Sequence, residues 1–532
     1  MLFVIPAWYQ NNTWSENEQI WYERRVHTEF DDSVKQIQLF HRNSDIDFRM
    51  LLLSYSPNLR HFLHRQGVFR ARYWSCFDAI QEVERKNPYV LSFHDIMWPE
   101  GVEFIYSAFA VIVLLQGKKY AQIEFGEDGN PIIIDMFNGD ELIRRNIYDD
   151  RGFVSSSILY ENDTPKFQEF YTEKGIKKVT LFFEDGSVEV NEHSAFYLLD
   201  YDGQKKRMPY KMLKYSSIEA LLREILEQFL VKTSSEDMFC IAMHNKHTEL
   251  LYNLLKNKKT ILSFFGERYL VSENPEDIEM IKNAGYIIID ELDHLKRIQA
   301  VVNNSLKNVI DITPYDTRID TSISDHLYVQ KILVPIDYLL DEDLPLLIEM
   351  LTEYLHRNSK ARIHLFTRKS VYNQKEFLMN KIKEILNQIG ENGEMVDEDI
   401  DDPTENHVDY EDLVIQKFVI EQCVSELEVS KCIREQRLVL DVRKGIDLYL
   451  QVAAISMGIP QIVMQETQFV KDNKNGIVLK DLEDIPDCLE FYLGSLKNWN
   501  NAQIQSYEIG REYTTQVLVG KWKEVIGTLG EH

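Results

Sequence analysis

Two histidine pairs, His61-x-x-His64 and His244-x-x-His247, have the spacing that sets two imidazoles on one face of a helix. Such a pair could hold a metal ion, but no third ligand stands close by in sequence, and surface histidines are the better account of both pairs. A second cluster, Trp8, Tyr9, Trp14, Trp21 and Tyr22, crowds the N-terminal segment. Flat rings of this kind stack on sugars or meet a protein partner, and they also pack the edges of domains. The five cysteines (Cys76, Cys240, Cys423, Cys432 and Cys488) are scattered and contain no C-x-x-C pair. That pattern points to a reducing compartment and away from a disulfide framework or a zinc site. The chain has no G-x-x-x-x-G-K-[ST], G-x-G-x-x-G, G-x-S-x-G or H-E-x-x-H. The expectation is a protein with no catalytic residue, no cofactor and no metal.

One segment says more. Residues 441–463 read DVRKGIDLYLQVAAISMGIPQIV, with Asn475-Gly476 shortly after. The order is strand, turn, helix, Gly458-x-Pro460, strand, Asn-Gly. It resembles the C-terminal domain of two-domain retaining glycosyltransferases of the GT-B type. In that family two glutamates, spaced as Gly445 and Ala453 are here, bind the ribose and the sugar or phosphate of a nucleotide-sugar donor. Neither Gly445 nor Ala453 has a side chain that accepts a hydrogen bond. The family also places an Arg and a Lys after the first strand of this domain to neutralise the diphosphate. Asp337 and Glu342 stand at those positions. A carboxylate about 4 Å from a phosphate costs several kcal/mol at an effective dielectric near 20, enough to abolish micromolar binding. The resemblance thus implies a degenerate donor site formed by Asp337, Glu342, Gly445, Ala453, Asn475 and Gly476, in a cleft that binds no nucleotide-sugar.

The elements that would carry these residues are legible from pattern. With 532 residues the chain exceeds one hydrophobic core, and two or three domains are expected. Apolar residues make up 44% and charged residues 27%, an ordinary globular balance. A net charge of −27 sets most of the surface against nucleic acid and anionic lipid. Apolar strands at Leu2 to Ile5 and Met50 to Leu53 begin a parallel α/β sheet. From Gly101 to Tyr215 the texture is β-rich, with hairpin signals at Gly117, Gly129 and Gly186. Ser216-x-x-Glu219 reads as a capping box for a helix carrying Ile218, Leu221, Leu222, Ile225 and Phe229. Strands then follow at Met238 to Met243, Thr260 to Phe265, Tyr286 to Asp290 and Asn308 to Ile312. A second series comprises Lys331 to Pro335, Ala361 to Thr367, Leu413 to Val419, Arg437 to Val442 and Gln461 to Met464.

The fold class expected is α/β: a GT-B-like pair of Rossmann-type, doubly wound domains, the N-terminal one carrying an extended antiparallel β-sheet insertion. Residues 1–100 and 216–318 form the N-terminal domain, 101–215 the insertion, and 319–532 the C-terminal domain with its final helices. Phe104 to Leu115, the longest apolar run, is too short to cross a bilayer, which takes about 20 residues, and reads as a strand. Met1 to Tyr9 has neither a basic n-region nor a small-residue cleavage site, so a cytoplasmic protein is expected. Glu391 to Asp412 is dense in acids without a Lys or Arg, either a solvated mobile loop or an acidic docking loop.

Phe3-Val-Ile-Pro-Ala-Trp-Tyr9 with Trp14, the segment Asp447 to Gln461, and Asn498-Trp-Asn-Asn-Ala502 narrow the resemblance. Together they look like the first of the accessory Sec proteins of streptococci and relatives, over the whole chain. The resemblance implies a non-enzymatic adaptor or chaperone in the export of a glycosylated serine-rich repeat adhesin. Its implied partners are the second and third accessory Sec proteins, an accessory SecA-type motor ATPase and the adhesin itself, with no nucleic acid and with room for a peripheral place at the membrane. The competing expectations are an active GT-B glycosyltransferase with an atypical donor site and a carbohydrate-binding module using Trp8, Tyr9 and Trp14. The exposed edge of the β insertion is expected to bind a partner.

Overall fold

The computed structural model describes residues 1–10, 13–15, 20, 31–43, 45–199, 205–302, 306, 308–318, 322–369, 371, 373–397 and 415–531. Trp21, Tyr22 and residues 398–412 of the acidic run lie outside them.

Two all-parallel, seven-stranded sheets form the frame. The first runs Val309–Asp311, Tyr286–Ile289, Lys259–Phe264, Met238–Ala242, Leu2–Ile5, Phe48–Leu52, Tyr73–Ser75. Its central strands, LFVI and MFCIA, are buried at every residue. That is why they are continuous apolar runs: helices cover both faces of a parallel sheet. The second sheet runs Val396–Asp397, Phe418–Gln422, Ala361–Thr367, Gln330–Pro335, Leu438–Asp441, Gln461–Val463, Gly476–Val478. In each sheet the first strand in sequence is flanked on both sides. The strand order therefore reverses there, opening a crevice at the carboxyl ends of the strands.

The third sheet has ten antiparallel strands, from the edge strand Val102–Tyr106 to Lys214–Tyr215 at the other edge. The run from Phe104 to Leu115 is two strands, not one: Val102–Tyr106 and Ala110–Leu115 pair with each other. Ser107 makes the break. Its hydroxyl donates to the Ala110 carbonyl at 2.7 Å and accepts from the Ala110 N–H at 2.9 Å. Glu141–Asp149, Phe153–Glu161 and Thr164–Tyr171 also join this sheet. Their polar residues hid them from apolar pattern reading. A cross-strand pair shows what holds them: Arg145 reaches Asp135 with both Nε and Nη2, at 2.7 and 2.8 Å.

Two further expectations shift. The helix Ile218–Leu230 is capped by Ser217, whose hydroxyl accepts from the Ala220 N–H, and not by Ser216. Glu219 does not close a capping box on Ser216, because its carboxylate takes the indole N–H of Trp14. Of the strand expected at Leu413 to Val419, Leu413 and Val414 lie outside the described residues, and the strand described is Phe418–Gln422, in parallel register with Ile363 to Thr367.

Buried charge fastens the ten-stranded sheet to the first parallel sheet. Arg60, on the helix Leu59–Arg65, reaches Asp150 at 2.5 Å and Asp149 at 3.1 Å. Arg151 joins Asp149 and Asp78, each at 2.7 Å. At the far end of the chain, the helix Thr515–Glu531 packs on the helix Asp32–Asn43 of the first sheet's layer, with Trp522 edge-on to Phe40 at 4.9 Å. One hydrophobic core contains Leu2, Val4 and Ile37 together with Leu448, Val452, Phe469, Leu518 and Trp522. The two parallel sheets thus share apolar packing through the helix Leu448–Ser456 and the final helix. Among the described residues no helix is long and apolar enough to cross a membrane.

Candidate functional site

The crevice of the second sheet lies where Gln330–Pro335 and Leu438–Asp441 end side by side. Asp337 follows the first of these strands and is buried. Its two carboxylate oxygens accept from the Thr367 hydroxyl at 2.7 Å and the Arg368 backbone N–H at 2.6 Å, so it ties two strand ends together. Asp441 ends the second strand and takes Arg443 in a bidentate pair, Nε at 2.8 Å and Nη2 at 2.7 Å. Asp447 caps the helix Leu448–Ser456 by accepting from the Leu450 N–H at 3.0 Å, and it accepts Arg368 Nη2 at 3.0 Å. Burial pushes the Asp447 carboxyl up, but Arg368 and Arg443 outweigh it and hold the group below its usual range. Three carboxylates thus face two guanidiniums, and each guanidinium is already drawn to a carboxylate. Lys369 leaves the same strand end and lies over the exposed Tyr338 ring, 5.5 Å from its centroid.

Around this mouth the six residues expected to form a degenerate donor site separate. Glu342 is exposed at the start of the helix Asp343–Arg357 and makes no side-chain cap. Gly445 is exposed in the turn before Asp447, with open space where a Cβ would stand. Ala453 instead packs in a core cluster with Leu333, Phe366, Cys423 and Val439. Asn475 is fully buried; its amide donates to the Phe469 carbonyl at 2.8 Å, and its oxygen accepts from the Lys471 N–H at 2.8 Å. A Cβ at Gly476 would collide with the Gln461 carbonyl of the neighbouring strand. Asn475 and Gly476 therefore close a loop and a sheet edge. Arg368, Asp441, Arg443 and Asp447 were not singled out from the sequence. Their signal was a charged residue at the end of each buried strand and at a helix cap.

The crevice of the first sheet holds Trp8, Tyr9 and Trp14. Trp8 is buried, edge-on to Phe62, and donates to Asp31 at 3.1 Å. Asp31 and Asp32 both pair with Arg268. Trp14 is buried too, with the Lys246 ammonium 4.9 Å from its ring centroid. Tyr9 packs against Trp14 and its hydroxyl meets His247 Nε2 at 2.7 Å. Trp8 and Trp14 therefore have almost no ring face open to a sugar. His247 has its Nδ1 2.6 Å from the Ala242 carbonyl, so Nδ1–H donates there and Nε2 accepts from Tyr9. Burial pushes the imidazole down to about 3, and His244, which caps its helix, down to about 4. His61 lies 3.7 Å from Asp128, and His64 stands edge-on to Phe69. Neither histidine pair belongs to a metal-ligand cluster among the described residues.

Across the gap, the Gln468 amide donates to the Asp290 carbonyl at 2.6 Å, and Tyr315 meets Tyr449 ring to ring at 5.1 Å. Asp290 in turn holds His294 at 2.5 Å, and this pairing outweighs burial to raise the imidazole above its usual value.

Comparison with known proteins adds the lineage. The model of accessory Sec system protein 1, the first of the Asp proteins, matches residues 1–528. This chain belongs to that family. The corresponding protein of Streptococcus gordonii is 30% identical over 546 residues, covering 98% of each chain. The chain superposes on a protein in the crystal structure of accessory secretory proteins 1, 2 and 3 of Streptococcus pneumoniae with a TM-score of 0.76 and 29% identity, over 100% of both chains. The pneumococcal O-GlcNAc transferase GtfA, solved with UDP and GlcNAc, gives a TM-score of 0.68 at 11% identity, covering 99% of this chain and 98% of that one. At that identity the likeness shows the glycosyltransferase-like, GT-B fold alone.

Proposed function

We propose that this chain is a non-catalytic part of the accessory Sec complex, a glycosyltransferase fold kept for holding proteins. The observation that carries the reading is the state of the donor crevice: Arg443 and Arg368 are paired with Asp441 and Asp447, and Asp337 is buried where a phosphate-binding cation is needed. A diphosphate would have to break charge-assisted pairs and meet the carboxylates that hold them, losing more than it gains. By likeness to the pneumococcal proteins 1, 2 and 3, the chain assembles with the second and third accessory Sec proteins. It works with the SecA-type motor in the cytoplasm to export a glycosylated serine-rich repeat adhesin. The edge strand Val102–Tyr106, with Ile105 and Tyr106 exposed, supports docking by strand addition on the β insertion, residues 101–215.

Calorimetric titration with UDP-glucose, UDP-N-acetylglucosamine and UDP, each with and without magnesium or manganese, tests the reading. No saturable heat is expected; micromolar binding of any of them would restore the enzyme.

A further inference from the structure

Cys423 directly follows the strand Phe418–Gln422, and Cys432 lies on the next helix, Glu426–Arg434. Ser425 and Glu428 cap that helix reciprocally, so the angle at which it returns over the strand end is set. The return brings one oxygen of Glu421 and the two thiol sulfurs within 4.8 Å of one another. We propose that Glu421, Cys423 and Cys432 form a binding site for a thiophilic divalent cation of the zinc class.

The geometry suits that ion. Thiolates at about 2.3 Å from a tetrahedral zinc stand about 3.8 Å apart, so the three ligands need close in by little more than 1 Å. Two sulfurs and one carboxylate leave the fourth position for water, as in zinc sites that keep one position open. Groups around the ligands are also in place. His364, itself buried, meets Glu421 Oε1 at 2.9 Å through Nδ1, which orients the carboxylate. Gln436, also buried, points its amide N–H at Cys432 Sγ, 3.9 Å away, where it would stabilise a thiolate. His364 Nε2 and Gln436 Oε1 are buried beside this pair without a hydrogen-bond partner. Cys432 and Glu421 are half-buried, so an ion has a way in.

Binding is a ligand and proton exchange: the hydrated ion sheds all but one of its waters, two thiols each lose a proton to solvent, two metal–sulfur bonds and one metal–oxygen bond to Glu421 form, and no electron is transferred.

Full-length protein, reduced and desalted, is titrated with cobalt(II) as the spectroscopic probe and then with zinc. Thiolate-to-cobalt charge-transfer absorption should saturate at one equivalent per chain and vanish when zinc is added. It should be lost in Cys423→Ser and Cys432→Ser and persist in Cys488→Ser. Glu421→Gln should keep the band but weaken binding by more than about tenfold, since losing a ligand costs at least as much as losing a group that orients one. If the serine variants fail to fold, zinc protection of Cys423 and Cys432 from alkylation in the parent protein decides. No charge-transfer band, a band undiminished in the folded serine variants, or equal alkylation with and without zinc would each overturn the proposal. A Cys423–Cys432 disulfide formed in air, from protein that takes up no cobalt when reduced, would replace it with a redox pair.

Discussion

Gly445 and Ala453 differ in what they would tolerate if each were replaced by glutamate. Gly445→Glu projects into open space from a turn with ordinary backbone angles, and its stability should stay within about 0.5 kcal/mol of the parent. Ala453→Glu drives a carboxylate among Leu333, Phe366 and Val439 and should cost about 3 kcal/mol or more. Chemical denaturation of the two variants distinguishes them; equal stability would mean Ala453 is not packed as described. Neither variant should recover UDP binding, because Arg368 and Arg443 stay paired. His247 makes a second prediction at this scale. In the unfolded chain it titrates near 6.5, whereas the fold keeps it neutral down to about 3. Between those values the unfolded chain binds more protons, so this group's contribution to stability falls as pH falls. Its full effect is on the order of a few kcal/mol. Denaturation from pH 7 to pH 4 should show a shallower loss in His247→Gln than in the parent, and parallel curves would disprove it.

The joint between the ten-stranded sheet and the first parallel sheet rests on charges that no solvent screens. Arg60→Met leaves Asp149 with Arg151 but strips Asp150 of its cation, and burial already pushes that carboxyl up to about 6. Breaking one partner of a buried ion pair costs about 3–5 kcal/mol. The variant should open at this joint first, exposing the loop near Tyr89, whose N–H bonds the Asp150 carbonyl, to limited proteolysis. A digestion pattern identical to the parent's would show the joint is held otherwise. Docking belongs to this scale too. Ile105→Lys with Tyr106→Lys should cut co-purification of the second and third accessory Sec proteins while leaving the fold intact. Unchanged co-purification would refute strand addition at that edge.

For the whole molecule, shared packing decides how the domains behave. The core that joins Leu2 and Val4 to Phe469 and Trp522 makes one face of the first parallel sheet share its apolar packing with the helix Leu448–Ser456 and the final helix. Calorimetry should therefore show the two parallel sheets unfolding together, and two resolved transitions would contradict it. Trp522→Ala should lower stability by about 3–5 kcal/mol, because the ring is fully buried against Phe40. A net charge of −27 on this frame suits binding proteins rather than phosphates.

The sequence by itself determined the two parallel sheets, because strands covered on both faces must be continuous apolar runs, as LFVI and MFCIA are. That Gly445 and Ala453 carry no carboxylate is read there too, since identity needs no coordinates. Three things were decided only by the tertiary structure. Polar strands such as Thr164–Tyr171 are recognisable only through their partners across the sheet. The pairing of Arg443 and Arg368 depends on which strand ends meet, and strand order is not written in any local pattern. Cys423 and Cys432, too far apart in sequence to read as a motif, become neighbours because a capped helix folds back over its strand.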